Sequence, residues 1–110
     1  MEGMNYSQLI QDVLKRHTTK GLSRGETDLQ LIFDTERDRY QLLHIGWDGS
    51  KRVFGCIIYV TLQDGKIWIE RDGTELGIAT ELLALGVPKT DIVLGFQSPY
   101  RRRLTDFAAG

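Results

Sequence analysis

Asp34, Glu36 and Asp38 recur at every second residue of the chain. On one extended strand, three carboxylates at that spacing would offer hard oxygen ligands to a divalent cation such as Mg²⁺. Arg37 and Arg39 are interleaved with them and neutralise their charge. A turn between two strands would also break their convergence, so the spacing reads as a solvated hairpin. His44 lies between Leu43 and Ile45, and an imidazole there could serve as a general base. No serine or cysteine nucleophile is tied to it by spacing, which favours a structural histidine bonded to a carbonyl or to water. Cys56, the single cysteine, sits in an apolar run where burial raises a thiol's pKa and quiets it. No catalytic residue, cofactor-binding residue or metal ligand is assigned, and no cofactor is expected.

Lys89, Arg101, Arg102 and Arg103 are the cations that could meet a nucleic acid or an acidic partner, with Tyr100 beside the arginine run. The stretch from Thr80 to Ile92 faintly resembles a helix-turn-helix that would present Lys89 and Thr90 to DNA. Asp91 would repel phosphate, and Leu94-Gly95-Phe96 leaves the second helix about one turn. A formal net charge of -1 lacks the basic excess of a free-standing nucleic-acid binder. The glycines form neither a phosphate loop nor a dinucleotide fingerprint.

These residues must be carried by a small set of elements. Tyr6, Leu9, Ile10, Val13 and Leu14 mark one face of a helix, with Asn5 as its cap and its end near His17 to Lys20. A polar linker over 21–27 follows. Alternation predicts a strand over 28–35 with Leu29, Leu31 and Phe33 on one face, and a second over 39–47. Asp48-Gly49-Ser50 turns the chain into a third strand over 52–62, nearly continuous in apolar residues, as a strand covered on both faces would be. Asp64-Gly65 is the strongest hairpin signal, and Lys66–Glu70 returns as a fourth strand. Asp72 or Thr74 caps a second helix over 75–85, in which Gly77 implies close packing on the sheet. Pro88–Asp91 is a short helical turn, 92–96 a short strand or packed coil, and 98–103 a surface tail.

The predicted fold is therefore α+β: an N-terminal helix, a four-stranded antiparallel meander, a second helix and a short C-terminal turn or strand. Both helices cover one sheet face in a two-layer sandwich. Trp47, Tyr59 and Trp68 are left as aromatic anchors for a partner, because apolar sheet surface remains on the opposite side. A length of 110 residues sets a single domain over 1–110. Hydrophobic content of 41% with 26% charged residues excludes a disordered chain. One cysteine allows no internal disulfide. No apolar run approaches the ~20 residues of a membrane span, and no secretory signal is evident. A cytoplasmic location, with no membrane, is the expectation.

Three segments carry a resemblance: Ile32–Trp47, Asp64–Ile69 continuing to Asp72-Gly73-Thr74-Glu75, and Gly86–Phe96. In this order they resemble the XisI-like family, the fdxN-element excision controlling factors of cyanobacteria, over nearly the whole chain from Tyr6 to Phe107. Where that family often carries histidine after the Gly-Phe pair, this chain has Gln97. The resemblance implies an accessory protein of site-specific recombination, in the programmed excision of a DNA element during heterocyst differentiation. It implies a XisH-like, nuclease-related protein as partner and supplies no catalytic residues. The combined expectation is a non-enzymatic regulatory protein that binds a XisH-like partner, and itself as a homo-oligomer (dimer), with DNA present in a larger complex. Direct DNA binding through Lys89 and Arg101–Arg103 is the alternative.

Overall fold

The computed structural model describes residues 5–19 and 26–110. The chain runs α1 (Tyr6–Thr19), β1 (Glu26–Asp34), β2 (Arg39–Asp48), β3 (Lys51–Gln63), β4 (Lys66–Asp72), α2 (Ile78–Ala84), a 3₁₀ turn (Lys89–Asp91), β5 (Ile92–Leu94) and α3 (Pro99–Arg102). The strands form one sheet in the order β1-β2-β3-β4-β5. The first four make the expected antiparallel meander. The fifth pairs parallel to β4, with Ile67 opposite Ile92 and Trp68 opposite Val93. A parallel pair needs a crossover, and α2 with the 3₁₀ turn supplies it. The fold is thus α+β with a five-stranded, mostly antiparallel sheet. Most of the linker expected over 21–27 lies outside the described residues.

Local chemistry explains the elements. The Asn5 side chain accepts from the Gln8 N–H (3.1 Å) and starts α1. Asp64 (φ 54°) and Gly65 (φ 76°) both take left-handed conformations, the pattern of the tight turn that matches strand twist. The second helix begins later than its sequence suggests. Gly77 has φ 99°, outside helical space, so it precedes the helix rather than packing within it. The Asp72 carboxylate does the capping from the end of β4. It accepts from the Ile78 N–H (2.7 Å), the Thr74 N–H (2.9 Å) and the Thr74 hydroxyl (2.6 Å).

One sheet face holds the core. Tyr40, Leu42, Ile58, Val60, Ile67, Ile69 and Ile92 are fully buried there beneath Ile10, Val13 and Leu14 of α1 and Ile78 and Leu82 of α2. Burial of such side chains is worth roughly 1.5–3 kcal/mol each, which outweighs the weak intrinsic stability of a seven-residue helix. His17 of α1 meets Glu81 of α2 at 2.6 Å with both side chains nearly buried, and this tie holds the two helices on the same face.

The C-terminal region is ordered onto the sheet rather than trailing from it. Ser98 caps α3 through the Arg101 N–H, and Ala108 bridges Val93 beside β5. No helix among the described residues is long and apolar enough to cross a membrane.

Candidate functional site: the open sheet face

Strand register decides which side chains share the face away from the helices. Ile45 lies opposite Phe54, Leu43 opposite Cys56, Trp47 opposite Arg52 and Gln41 opposite Tyr59. Ile32 joins the same face from β1, opposite Gln41. Phe54 is 69% exposed, Trp47 46% and Ile32 43%. Leu43, Ile45 and Tyr59 are half-buried. Between Leu43 and Cys56 only Gly46 is buried, so the β2–β3 hairpin reaches beyond the helices as an arm. The third strand is therefore not covered on both faces along its length, as its apolar run suggested. Its register shifts against β2 at Leu42/Leu43, and one extra residue re-aims the side chains that follow.

The arm carries two arginines held by local contacts. The Arg52 guanidinium stacks over the Trp47 ring at 5.3 Å from its centroid and reaches the Gly46 carbonyl (3.4 Å). That stack restrains both side chains. Arg71, beside Tyr59 on β4, donates to the Cys56 carbonyl (2.6 Å). Burial pushes the Cys56 thiol above its ordinary pKa, with Arg71 opposing, so the sulfur is an unreactive part of the surface.

Trp68 lies on the same face but at its covered end. Arg102 stacks on its ring at 5.1 Å and donates to the carbonyls of Gln97 (3.0 Å) and Ala109 (3.3 Å). Val93 beside it is fully buried. The chain's own end therefore seals the β4–β5 side, and the β1–β3 side stays open. Of the three aromatic anchors read from sequence, the structure brings Trp47 and Tyr59 to the open region and places Trp68 under the tail. Phe54, the most exposed aromatic of the face, was hidden from sequence reading inside a continuous apolar run.

The cations named for nucleic acid are not brought together as a free row. Arg102 is engaged as described. Lys89 lies 3.7 Å from Asp106 and over the Phe107 ring. Arg103 lies over Tyr100, and Arg101 is exposed. The helix-turn-helix outline dissolves, because a single 3₁₀ turn and then β5 stand where a recognition helix would be.

The other chemical residues have local roles. Asp34 accepts from the N–H groups of Glu36 and Arg37 and from the Arg37 guanidinium. Those bonds, the Arg37 backbone first, hold its carboxyl below the usual range. Asp38 accepts instead from the Tyr40 hydroxyl, so the carboxylates diverge. No group of three or more potential metal ligands occurs among the described residues. His44 faces the helix side, and its Nε2 is buried without a hydrogen-bond partner among the described residues.

Fold and surface together define a helix-backed sheet domain that presents an aromatic, arginine-braced arm and holds Asp34, Asp38 and Asp72 in local structural bonds. The chain belongs to the XisI family, whose description is "XisI protein" and whose model matches residues 1–109. A crystal structure of a XisI-like protein from Anabaena variabilis is similar at 40% identity, with a TM-score of 0.90 and 96% of each chain covered. That of the fdxN element excision controlling factor XisI from the same organism is similar at 44% identity, with a TM-score of 0.82 and again 96% of each chain. No curated protein matches the chain.

Proposed function

We propose that this chain is a non-enzymatic accessory protein that regulates a DNA-excision reaction by docking a protein partner on the open sheet face. The relative at 44% identity is a controlling factor of fdxN element excision, which supports the regulatory part. The observation that carries the docking part is the exposure of Trp47 and Phe54 near the end of the β2–β3 hairpin, with Arg52 stacked on Trp47 and Ile32 exposed farther along the same face. Buried aromatics and arginine dominate interface energetics. Exposed side chains of these types fit recognition by a protein surface. The partner class is the XisH-like protein that the family resemblance implies.

Co-purification with a XisH-like protein tests this. Trp47→Ala and Phe54→Ala should each weaken the complex by roughly 30-fold, the effect of losing an interface hot spot. Leu76→Ala, at an exposed site outside the meander, should leave it intact. No complex with the intact chain, or a complex indifferent to both aromatic substitutions, overturns the proposal. A DNA mobility shift that survives these substitutions and weakens steeply with salt would transfer the role to the basic residues.

A further inference from the structure

The third strand has a free edge. β4 pairs with β3 only from Ile58 onward, where Ile58 lies opposite Asp72. Two bonds close that pairing: the Gly73 N–H donates to the Ile57 carbonyl (2.8 Å), and the Arg71 guanidinium donates to the Cys56 carbonyl (2.6 Å). From Lys51 to Gly55, no strand or backbone group among the described residues bonds the outer side of β3. Lys51, Arg52, Phe54 and Gly55 are exposed.

The two-residue turn Gly49-Ser50 fixes what that edge presents. Gly49 takes φ 64°, and a turn of this length closes on a hydrogen-bonded pair, here Asp48 and Lys51. Antiparallel pairs alternate between bonded and non-bonded, and the register runs without a shift to Gly55 opposite His44. Lys51, Val53 and Gly55 therefore turn their peptide groups toward β2, whereas Arg52 and Phe54 turn theirs outward. We infer that this edge adds to the same edge of a second copy of this chain, antiparallel about a two-fold axis at Val53. The inference goes beyond docking on the open face and does not depend on it.

The register follows from the alternation and the charges. An axis between two residues would set outward peptide groups against inward ones. An axis at Arg52 would set two arginines directly opposite, which is repulsive. An axis at Phe54 would set Arg52 opposite the second copy's Cys56, whose carbonyl Arg71 already holds. The axis at Val53 pairs Arg52 with the second copy's Phe54 and Phe54 with its Arg52, so each outward N–H and C=O of both residues gains a partner. It also lays each guanidinium beside a phenyl ring. Charged residues blunt an edge against pairing, but in this register Lys51 faces the second copy's Gly55, and no like charges stand directly opposite. The second copy's strand ends at its own turn just where Arg71 begins to occupy the edge. The two open faces then run on side by side.

A ladder over 51–55 is short, so the pair belongs with the weak, transient interfaces that bury under ~1,200 Å². Sedimentation equilibrium of the full chain from about 10 µM to about 1 mM reads its mass action. The mass should climb from that of one chain, 12.5 kDa, toward about 25 kDa. Gly55 supplies the register-specific variants. A Cβ there meets nothing within 4 Å, and alternation puts it on the face away from Phe54. Gly55→Lys faces the second copy's Lys51 and should weaken the pair about fivefold, whereas Gly55→Glu faces the same lysine and should tighten it about fivefold. Combining Gly55→Lys with Lys51→Glu should recover the wild-type constant. Circular dichroism checks each fold. A wild-type mass that stays at one chain over the whole range overturns the inference without any variant. So does a pair that Gly55→Lys and Gly55→Glu shift in the same direction or leave unchanged. Neither Gly55 variant alters Trp47 or Phe54, so a failed pull-down with a XisH-like protein retires the docking reading and leaves this result standing.

Discussion

Arg102 offers the sharpest test of how the chain divides its own surface. Its guanidinium stacks on Trp68 at 5.1 Å and donates to the Gln97 and Ala109 carbonyls. A partly exposed cation–π contact is worth about 1 kcal/mol. Two charge-assisted bonds at a half-buried site add about 0.5–1 kcal/mol each once their solvated alternatives are counted. Arg102→Ala should therefore cost about 2–3 kcal/mol. At about 4 °C per kcal/mol for a domain of this size, its thermal midpoint falls by roughly 10 °C. Arg101→Ala and Arg103→Ala, at exposed positions, should stay within about 0.5 kcal/mol. Arg102→Lys should not restore the loss, because a point charge cannot both stack and fork to two carbonyls. Thermal melts by circular dichroism give the ranking. Tryptophan emission should shift to the red as Trp68 meets water, and the Ala108 amide, bonded to the Ile92 carbonyl, should exchange faster. Equal melts for Arg101→Ala and Arg102→Ala, with Trp68 emission unchanged, would refute the clasp and return Arg102 to the surface basic residues.

Three further expectations follow from single groups. Asp72→Ala removes the acceptor of the Ile78 N–H, the Thr74 N–H and the Thr74 hydroxyl and should cost about 2 kcal/mol in urea unfolding; Thr74→Ala, which loses the bond from the Gly77 N–H and the hydroxyl's donation to Asp72 but keeps the Asp72 cap on Ile78, should cost about half that. His44→Leu should be neutral or stabilising by up to about 1 kcal/mol, since it deletes a buried nitrogen with no partner among the described residues; a large loss in the same unfolding assay would show that His44 makes a stabilising bond. Burial, and then the bond to Asp91, push the Tyr6 hydroxyl up to about 12. The unfolded chain releases that proton near pH 10, so stability is full below pH 10 and falls as pH rises toward 12. Tyr6→Phe should flatten that alkaline limb in pH-dependent melts.

Much of the fold could be read where the signal is local. The α1 stripe, the Asn5 cap and the Asp64-Gly65 turn each rest on a few neighbouring residues whose chemistry allows little else. The parallel fifth strand was harder, because three apolar residues at Ile92–Leu94 suit a strand or packed coil equally. The start of α2 was misplaced because Asp72 caps it from six residues away, beyond the usual box. Nothing local could reveal that Arg102 would clasp Trp68, a contact across more than thirty residues of sequence. Trp47 was legible as an exposed aromatic because it closes an alternating strand beside a turn. Phe54 was not, because its apolar run implied cover on both sides. Counting register outward from Gly49 was the available signal, since it sets Phe54 opposite Ile45 on the open face.

The account turns on the open face being covered by protein. The chain has two tryptophans, so Trp68→Phe leaves Trp47 as the sole reporter on that face. Iodide quenching of Trp47 should decline when a XisH-like protein is added. Quenching that stays constant through that titration would contradict the account.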